Sequence, residues 1–314
     1  MARILTLTLN PALDLTVQLE TLQPGAVNRS TGFATHAAGK GLNVAQVLAD
    51  LDHRITVSGF LGESNPALFE ALFSRRGFVD AFIRVPGETR SNIKLAERSG
   101  RVTDLNGSGP EVGPAHRDAL AQRLDEIVSG HDAVVVAGSL PRGVDPEWFC
   151  SFLRIVKRHD VPLVLDTSGE ALRLGLKAKP WLIKPNEHEL AEILRLPDSA
   201  RATVEKAART LQGDQSTHVL LSMGSDGVSW FGPDISLHAQ PPKVDVRSTV
   251  GAGDSLLAGL LHGLLSDAAP EETLRHATAI AAQAVTQVGF GIHDREQLTR
   301  LDAAVQLTRL QEEE

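Results

Sequence analysis

The chain has 314 residues with 31 basic and 39 acidic side chains, and its formal net charge is −8. Such a chain has no overall cationic field with which to hold nucleic acid or an anionic membrane, so we expect neither as a partner. The single cysteine, Cys150, excludes an internal disulfide and a cysteine-based zinc site, which favours a reducing, cytoplasmic location.

The first part of the chain predicts one strand of a main sheet and a small β lid. Residues 3–9 alternate as a strand does, and we expect the Asn-Pro turn that follows to present the Asp14 carboxylate at the strand end. Short alternating pieces between turn formers, within about 12–33 and 85–105, predict small strands outside the main sheet. No apolar run of about 20 residues, the length of a transmembrane helix, occurs in the sequence.

From residue 114 onward, predicted helices and strands alternate steadily. The strands fall at 133–137, 162–165, 181–183, 218–221 and 227–231, and the helices near 114–128, 146–159, 169–177, 187–195, 200–212, 254–265 and 271–288, with a last helix over 301–314. Continuous apolar strands separated by amphipathic helices predict an α/β fold, a doubly wound and mainly parallel sheet with helices on both faces. We expect a single domain over residues 1–314.

The strongest chemical signal lies in residues 246–260, VRSTVGAGDSLLAGL. Small residues, Gly251, Ala252 and Gly253, precede an apolar helical pattern, so Asp254 is predicted at a helix N-terminus. Such a turn lets successive N–H groups point at one anion, and the helix dipole adds positive charge. A carboxylate beside an anion hole suits a general base that takes a proton from an alcohol attacking a phosphate. The alternative for Asp254 alone is a helix N-cap without chemistry.

Polar residues that follow the later strands predict a nucleotide and metal site. Lys184, directly after an apolar strand, would reach a nucleotide phosphate, although a solvated lysine is the alternative. Asn186 and Glu189 stand three residues apart at a helix start and would hold Mg²⁺ through water. A helix cap with a first-turn acid is the alternative for this pair. The segment 224–227 links two strands and also fits a plain hairpin turn.

Four further residues, Asp14, Asn43, Arg90 and Asn92, carry groups suited to sugar hydroxyls and a phosphate. Arg90 offers a bidentate fork, and it shares one face of a lid strand with Asn92 because the two are two residues apart. In isolation Arg90 also fits a solvated surface charge. We expect the lid to close over the sugar phosphate, since water would otherwise compete for the transferred group.

Two longer motifs resemble the signatures of one enzyme family. Residues 38–45, AGKGLNVA, and 248–260, STVGAGDSLLAGL, are similar to the two signatures of the phosphofructokinase B branch of the ribokinase-like sugar kinases. The stretches TLNPALD, TRSNIKL, GSLPRGV, DTSGEAL and KPNEHEL resemble the sugar-phosphate kinases of that family. Finer features such as VTDLNGSGPEV look most like bacterial members that act on fructose 1-phosphate. Ser248 departs from the pattern, which more often has Asn or Asp before Thr249.

The resemblance implies ATP-dependent phosphorylation of fructose 1-phosphate at its 6-hydroxyl, with Asp254 as the base and with ATP and Mg²⁺ as cofactors. Tagatose 6-phosphate and fructose 6-phosphate are alternative substrates within the family. The implied substrate contacts are Asp14, Gly39, Lys40, Asn43, Arg90 and Ser139. The implied nucleotide and phosphoryl contacts are Lys184, Asn186, Ser222, Gly224, Gly227, Thr249, Gly251, Ala252 and Gly253. Exposed lid edges would need covering, so we expect a homodimer through the lids, as the resemblance also implies.

Two other functional classes fit the sequence less well. A Rossmann oxidoreductase needs a GxGxxG turn after its first strand, and this chain has NPALD there. A sugar-phosphate sensor without catalysis could keep the fold, yet it would have no use for a carboxylate beside an anion hole.

Overall fold

The computed structural model of the chain describes residues 1–310. Its strands are β1 (Arg3–Thr8), β2 (Ala12–Leu19), β3 (Gly32–Ala38), β4 (Arg54–Gly62), β5 (Val79–Asp80), β6 (Ile83–Val85), β7 (Arg90–Glu97), β8 (Val102–Asn106), β9 (Ala133–Ala137), β10 (Leu163–Asp166), β11 (Leu182–Ile183), β12 (His218–Ser222), β13 (Val228–Gly232), β14 (Ile235–Gln240) and β15 (Gln306–Arg309). Its helices are α1 (Lys40–Asp50), α2 (Ala67–Arg76), α3 (Pro114–Ile127), α4 (Pro146–Arg158), α5 (Gly169–Gly175), α6 (Glu187–Leu194), α7 (Arg201–Asp214), α8 (Ala252–Leu265), α9 (Pro270–Ala284) and α10 (Arg295–Ala304).

Within residues 1–310 the main sheet has 11 strands in the order β15-β14-β13-β12-β11-β10-β9-β1-β4-β5, with β6 paired to β4. The strands from β12 through β1 to β4, β5 and β6 are parallel, and β13 to β15 are antiparallel. Successive side chains of a strand point to opposite faces of its sheet. In β1, Ile4 packs in one hydrophobic cluster and Leu5 in the other, so a hydrophobic core lies on each face. The sheet is therefore covered on both faces, which confirms the predicted doubly wound α/β fold.

A second sheet of four strands, in the order β3-β2-β7-β8, forms the predicted lid. Strands β2 and β7 are parallel and place Asp14 directly opposite Asn92. The prediction that Asp14 lies on a turn at the end of the first strand is wrong, since β2 has already begun at Ala12. The Asn-Pro pair at 10–11 is typical of a turn, but from Ala12 onward the backbone is in an extended strand that pairs with β7.

The predicted C-terminal helix over 301–314 is correct as far as Ala304 and wrong over residues 305–310. Helix α10 ends at Ala304, and β15 then pairs with the edge strand β14 in antiparallel register. The pairing supplies hydrogen-bond partners to an edge that would otherwise be open. Residues 311–314 of that prediction lie outside the described residues. Within residues 1–310, no helix has both the length and the apolar character needed to cross a membrane.

Candidate active site

A cavity of about 430 Å³ lies between the lid and the carboxyl ends of the parallel strands. Its walls come from lid strands β2 and β7, from the starts of α1 and α8, and from the segment after β11. The predicted site residues that line it are Asp14, Gly39, Lys40, Asn43, Arg90, Asn92, Lys184, Asn186, Glu189, Ser222, Gly251, Gly253 and Asp254. The predicted residues that do not line it are Ser139, Gly224, Gly227, Thr249 and Ala252.

Asp254 lies in the first turn of α8, where the sequence predicts it. Gly251, directly before the helix, has a φ of 81°, a left-handed conformation that residues with a side chain rarely adopt. A Cβ on Gly251 would also stand only 2.8 Å from the Phe290 ring. The turn therefore depends on glycine, and it brings a carboxylate that is only 6% exposed to the cavity wall.

Two opposing sets of groups set the electrostatic environment of Asp254. Burial, and after it the negative charge of Asp166, raises the pKa of Asp254 from 3.8 to about 6. A hydrogen bond of 2.7 Å from Asn43 Nδ2 to Asp254 Oδ2 opposes the rise, as do the ammonium groups of Lys40 and Lys184. A carboxyl group with this pKa is ionised near neutral pH and still binds a proton readily, which suits a general base.

The start of α8 has the features that an anion hole requires. The first N–H groups of a helix have no carbonyl of their own helix to donate to, and the helix dipole makes this end positive. Gly251 and Gly253 line the cavity here, whereas the N–H of Ala252 points to the Thr249 carbonyl oxygen at 3.4 Å. A Cβ on Gly253 would stand 3.2 Å from Lys184 Nζ, so the glycine leaves room for that ammonium group beside the helix.

Asp166 connects the two lysines that line the cavity, and the sequence analysis assigned it no role. It is the last residue of β10 and is completely buried. Lys40 Nζ donates to Asp166 Oδ1 at 3.1 Å, and Lys184 Nζ lies 3.4 Å from Oδ2. Burial lowers the pKa of Lys40, but the carboxylates of Asp166, Asp254 and Glu189 outweigh that effect and raise it overall. The available signal was an acid directly after the predicted apolar strand 162–165, in the strand before the one that Lys184 follows.

The lid contributes a polar cluster on the opposite wall of the cavity. Asn92 Nδ2 donates to Asp14 Oδ1 at 3.0 Å. Burial raises the pKa of Asp14, against the effects of that hydrogen bond and of nearby cations. The Arg90 guanidinium donates to three backbone carbonyl oxygens, those of Asn10, Pro11 and Gly107, at 3.0, 3.3 and 3.2 Å. Two of its five N–H groups are left for a ligand, and burial lowers its pKa.

Asn186 and Glu189 form a capping box at the start of α6. Asn186 Oδ1 accepts the backbone N–H groups of His188 and Glu189 at 2.9 and 2.8 Å, and Glu189 Oε2 accepts that of Asn186 at 3.0 Å. The helix cap that the sequence left as an alternative is thus present. Residues 1–310 form no group of three or more His, Cys, Asp or Glu side chains suited to a metal ion.

Three further predicted contacts, Ser139, Gly224 and Gly227, do not line the cavity. Asn10 Nδ2 donates to Ser139 Oγ at 3.2 Å, which links Ser139 to the segment that holds Arg90. Gly224 and Gly227 have left-handed φ values of 53° and 92° in the turn between β12 and β13. A Cβ on Gly227 would stand 2.3 Å from a backbone oxygen of β14, so packing in the hairpin explains that glycine, whereas a Cβ on Gly224 would meet no atom within 4 Å.

The fold and this site define a class of protein. The profile of the pfkB family carbohydrate kinases matches residues 7–296, and the chain belongs to that family. The confirmed doubly wound sheet, the small lid and the glycine-rich start of α8 agree with the family resemblance seen in the sequence.

The chain is also similar to individual proteins of known name and to solved structures. The chain is 44% identical to a 1-phosphofructokinase of Vibrio cholerae, over 98% of this chain and 97% of the relative. It is 46% identical to a 1-phosphofructokinase of Escherichia coli, over 97% of this chain and 98% of the relative. Among solved structures, Escherichia coli phosphofructokinase-2 in complex with fructose 6-phosphate is similar with a TM-score of 0.86 and 25% identity, over 97% of this chain and 99% of that chain.

Proposed function

We propose that the protein transfers the γ-phosphoryl group of ATP to the 6-hydroxyl of fructose 1-phosphate, which yields fructose 1,6-bisphosphate. The observation that carries the chemistry is the buried Asp254 carboxylate beside the start of α8, with two lysine side chains at the same cavity. The identity of the sugar phosphate rests on the relatives that are named 1-phosphofructokinase. Fructose 6-phosphate and tagatose 6-phosphate are the alternative acceptors.

Asp254 takes the proton from the 6-hydroxyl as the hydroxyl oxygen attacks the γ-phosphorus. The bond from that phosphorus to the bridging oxygen of the β-phosphate breaks, and ADP leaves. The Asn43 amide occupies Oδ2 of the carboxylate at 2.7 Å, so Oδ1 is the oxygen that receives the proton. Asn43 also fixes the orientation of the carboxylate, because it reaches Asp254 from a different helix. General-base catalysis of this kind contributes about 10²- to 10⁴-fold to the rate.

Fixed positive groups stabilise the transferring phosphoryl group. The first-turn amides of α8 and the helix dipole act on its equatorial oxygens, and they need no rearrangement during the reaction. Lys184 is held beside Gly253 and supplies a full positive charge on the nucleotide side. Lys40 lines the same cavity at the start of α1 and faces the acceptor.

Mg²⁺, when bound, neutralises charge on the nucleotide phosphates. Glu189 is the residue that would hold the hydrated ion. The Asn186 oxygen already accepts two N–H groups, whereas Glu189 uses only Oε2 in the capping box and lines the cavity. Mg²⁺ usually keeps several waters and binds through one or two carboxylates together with substrate phosphates, so a single available carboxylate oxygen fits it.

The lid wall holds the sugar phosphate. Asp14 and Asn92, which are hydrogen-bonded to each other, accept and donate to sugar hydroxyls, and the two remaining N–H groups of Arg90 bind the phosphate. Gly39, Asn43 and Ser139 complete this side. The nucleotide lies on the other side, along Ser222, Gly224, Gly227 and Thr249.

The lid also mediates a homodimer. Phe33 on β3 and Leu105 on β8, the two edge strands of the lid, are 75% and 52% exposed. Apolar side chains on open edge strands are usually covered in stable proteins. Light scattering at micromolar concentration should give twice the chain mass of 33.6 kDa. Phe33→Asp should weaken the dimer, whereas Val288→Asp, an exposed apolar position in a loop outside the lid, should not. A monomeric wild type would contradict the proposal.

A side-by-side assay of fructose 1-phosphate, fructose 6-phosphate and tagatose 6-phosphate tests the proposed function. ADP formation is coupled to a detection enzyme, and kcat/KM is compared for the three sugars under identical conditions. We expect fructose 1-phosphate to give the highest value. A higher kcat/KM with either 6-phosphate would correct the substrate, and no ADP with any of the three, together with tight sugar-phosphate binding, would instead indicate a sensor.

A further inference from the structure

Asp166 is a charged residue under the floor of the cavity. Its side chain has no exposed surface, and its two oxygens face Lys40 Nζ at 3.1 Å and Lys184 Nζ at 3.4 Å. Strands β10 and β11 are parallel neighbours, and Leu165 is paired with Ile183. Asp166 and Lys184 are the next residues of the two segments, so they lie side by side at this edge of the sheet. A buried carboxylate is strongly unfavourable unless cations or hydrogen-bond donors lie beside it. The Asp166 carboxylate therefore holds both lysine ammonium groups close to itself.

The two lysines line the cavity, and Asp166 does not. Lys184 Nζ stands beside Gly253, and Lys40 lies on the other side of the Asp166 carboxylate. We propose that Asp166 is a positioning residue that holds both ammonium groups toward the transferring phosphoryl group and keeps them from pairing with Asp254. This proposal rests on the proposed phosphoryl transfer. Without Asp166, Asp254 is the nearest buried anion, and a lysine paired with it would tie up the base.

The proposal has an electrostatic signature at Asp254. The charged groups that face Asp254 are Asp166 from β10, Lys40 from α1 and Lys184 from the end of β11, beside the neutral amide of Asn43. After burial, Asp166 makes the largest contribution that raises the pKa of Asp254, and the two lysines lower it. Removing the Asp166 charge therefore lowers this pKa directly, and it also frees the lysines to lower it further.

The test is the pH dependence of kcat/KM for Asp166→Asn, which keeps the shape of the side chain and removes its charge. We expect the acid limb of the profile, which reports Asp254, to move down by about one pH unit. We also expect kcat at pH 7.5 to fall roughly 10- to 100-fold, because the lysines are no longer held in place. Thr167→Val is the matched control: it removes a buried hydroxyl that donates to the Gly138 carbonyl oxygen at 2.9 Å and leaves every charge in place. Its acid limb should coincide with that of the wild type.

A charge cycle with Lys40→Met separates positioning from a general loss of structure. Lys40→Met should move the acid limb up, and adding Asp166→Asn to it should move the limb back down toward the wild type. This second comparison decides the matter if the single Asp166→Asn variant does not fold. Three results would each overturn the positioning role. The acid limb of Asp166→Asn could stay where it is in the wild type, or its loss of kcat could be no greater than that of Thr167→Val. The third is that neither Asp166→Asn nor the double variant with Lys40→Met folds. A wild type that phosphorylates none of the three sugars would instead overturn the proposed function.

Discussion

Replacing Asp254 with Asn should make the fold more stable at neutral pH while removing the base. Asp254 is 6% exposed, and burial raises the pKa of its carboxyl group from 3.8 to about 6. A raised pKa means that the folded state binds this proton more tightly than the unfolded state does. Ionising Asp254 at neutral pH therefore destabilises the fold, and an uncharged Asn avoids that destabilisation.

The size of the effect follows from the two pKa values. The rise from 3.8 to about 6 is about two pH units, which at about 1.4 kcal/mol per unit gives roughly 3 kcal/mol. The destabilisation is absent below 3.8, grows between 3.8 and about 6, and is complete above about 6. Asn43 keeps an acceptor in the variant, because the Asn side chain also carries an oxygen. We therefore expect a rise of about 5 °C in Tm at pH 7.5 and almost none at pH 4.

Thermal unfolding of both proteins, followed by circular dichroism at several pH values, measures this difference. Asp118→Asn, which removes an exposed carboxylate on α3, is the control and should leave Tm nearly unchanged at every pH. An Asp254→Asn variant with unchanged or lower Tm at pH 7.5 would refute the reasoning, since it would show that the ionised carboxylate is fully compensated by its surroundings.

Arg90→Ala removes a guanidinium that donates to three backbone carbonyls and lines the cavity, so on the proposed function KM for fructose 1-phosphate should rise by the equivalent of about 2 to 4 kcal/mol while KM for ATP stays constant. Arg90→Lys keeps the charge without the fork and should recover only part of the loss; a rise confined to the ATP KM would place Arg90 on the nucleotide side. His53 Nε2 and His262 Nδ1 lie 2.9 Å apart, and burial lowers the pKa of His53 from 6.5 to about 4. The unfolded state therefore binds more protons between those values, and wild-type stability should fall more steeply than that of His53→Gln as the pH drops from 6.5 to 4, whereas parallel curves would contradict a neutral buried histidine.

The parts of the fold that follow from local pattern could be predicted from the sequence. Residues 133–137, AVVVA, are apolar on both faces, and only a strand covered on both sides buries all of them. Likewise, the small residues 251–253 before an apolar helical run placed Asp254 at the start of α8. Both features depend on neighbours in the chain.

The features that the sequence did not reveal depend on partners far along the chain. Strand β15 exists because β14 offers an open edge, and residues 306–309, QLTR, carry no apolar pattern of their own. Asp14 belongs to β2 because that strand pairs with β7, almost eighty residues later. Asp166 and Lys40 are 126 residues apart, so no local spacing could have shown that the acid lies between two cavity lysines.

The turnover of Asp254→Asn with fructose 1-phosphate and ATP tests the central claim most directly. Stability measurements first establish that the variant is folded, and kcat and the sugar-phosphate dissociation constant are then compared with those of the wild type. We predict that kcat falls by roughly two to four orders of magnitude while the dissociation constant changes little, because a general base acts mainly in the transition state. A folded variant with near-normal kcat would show that Asp254 is not the base.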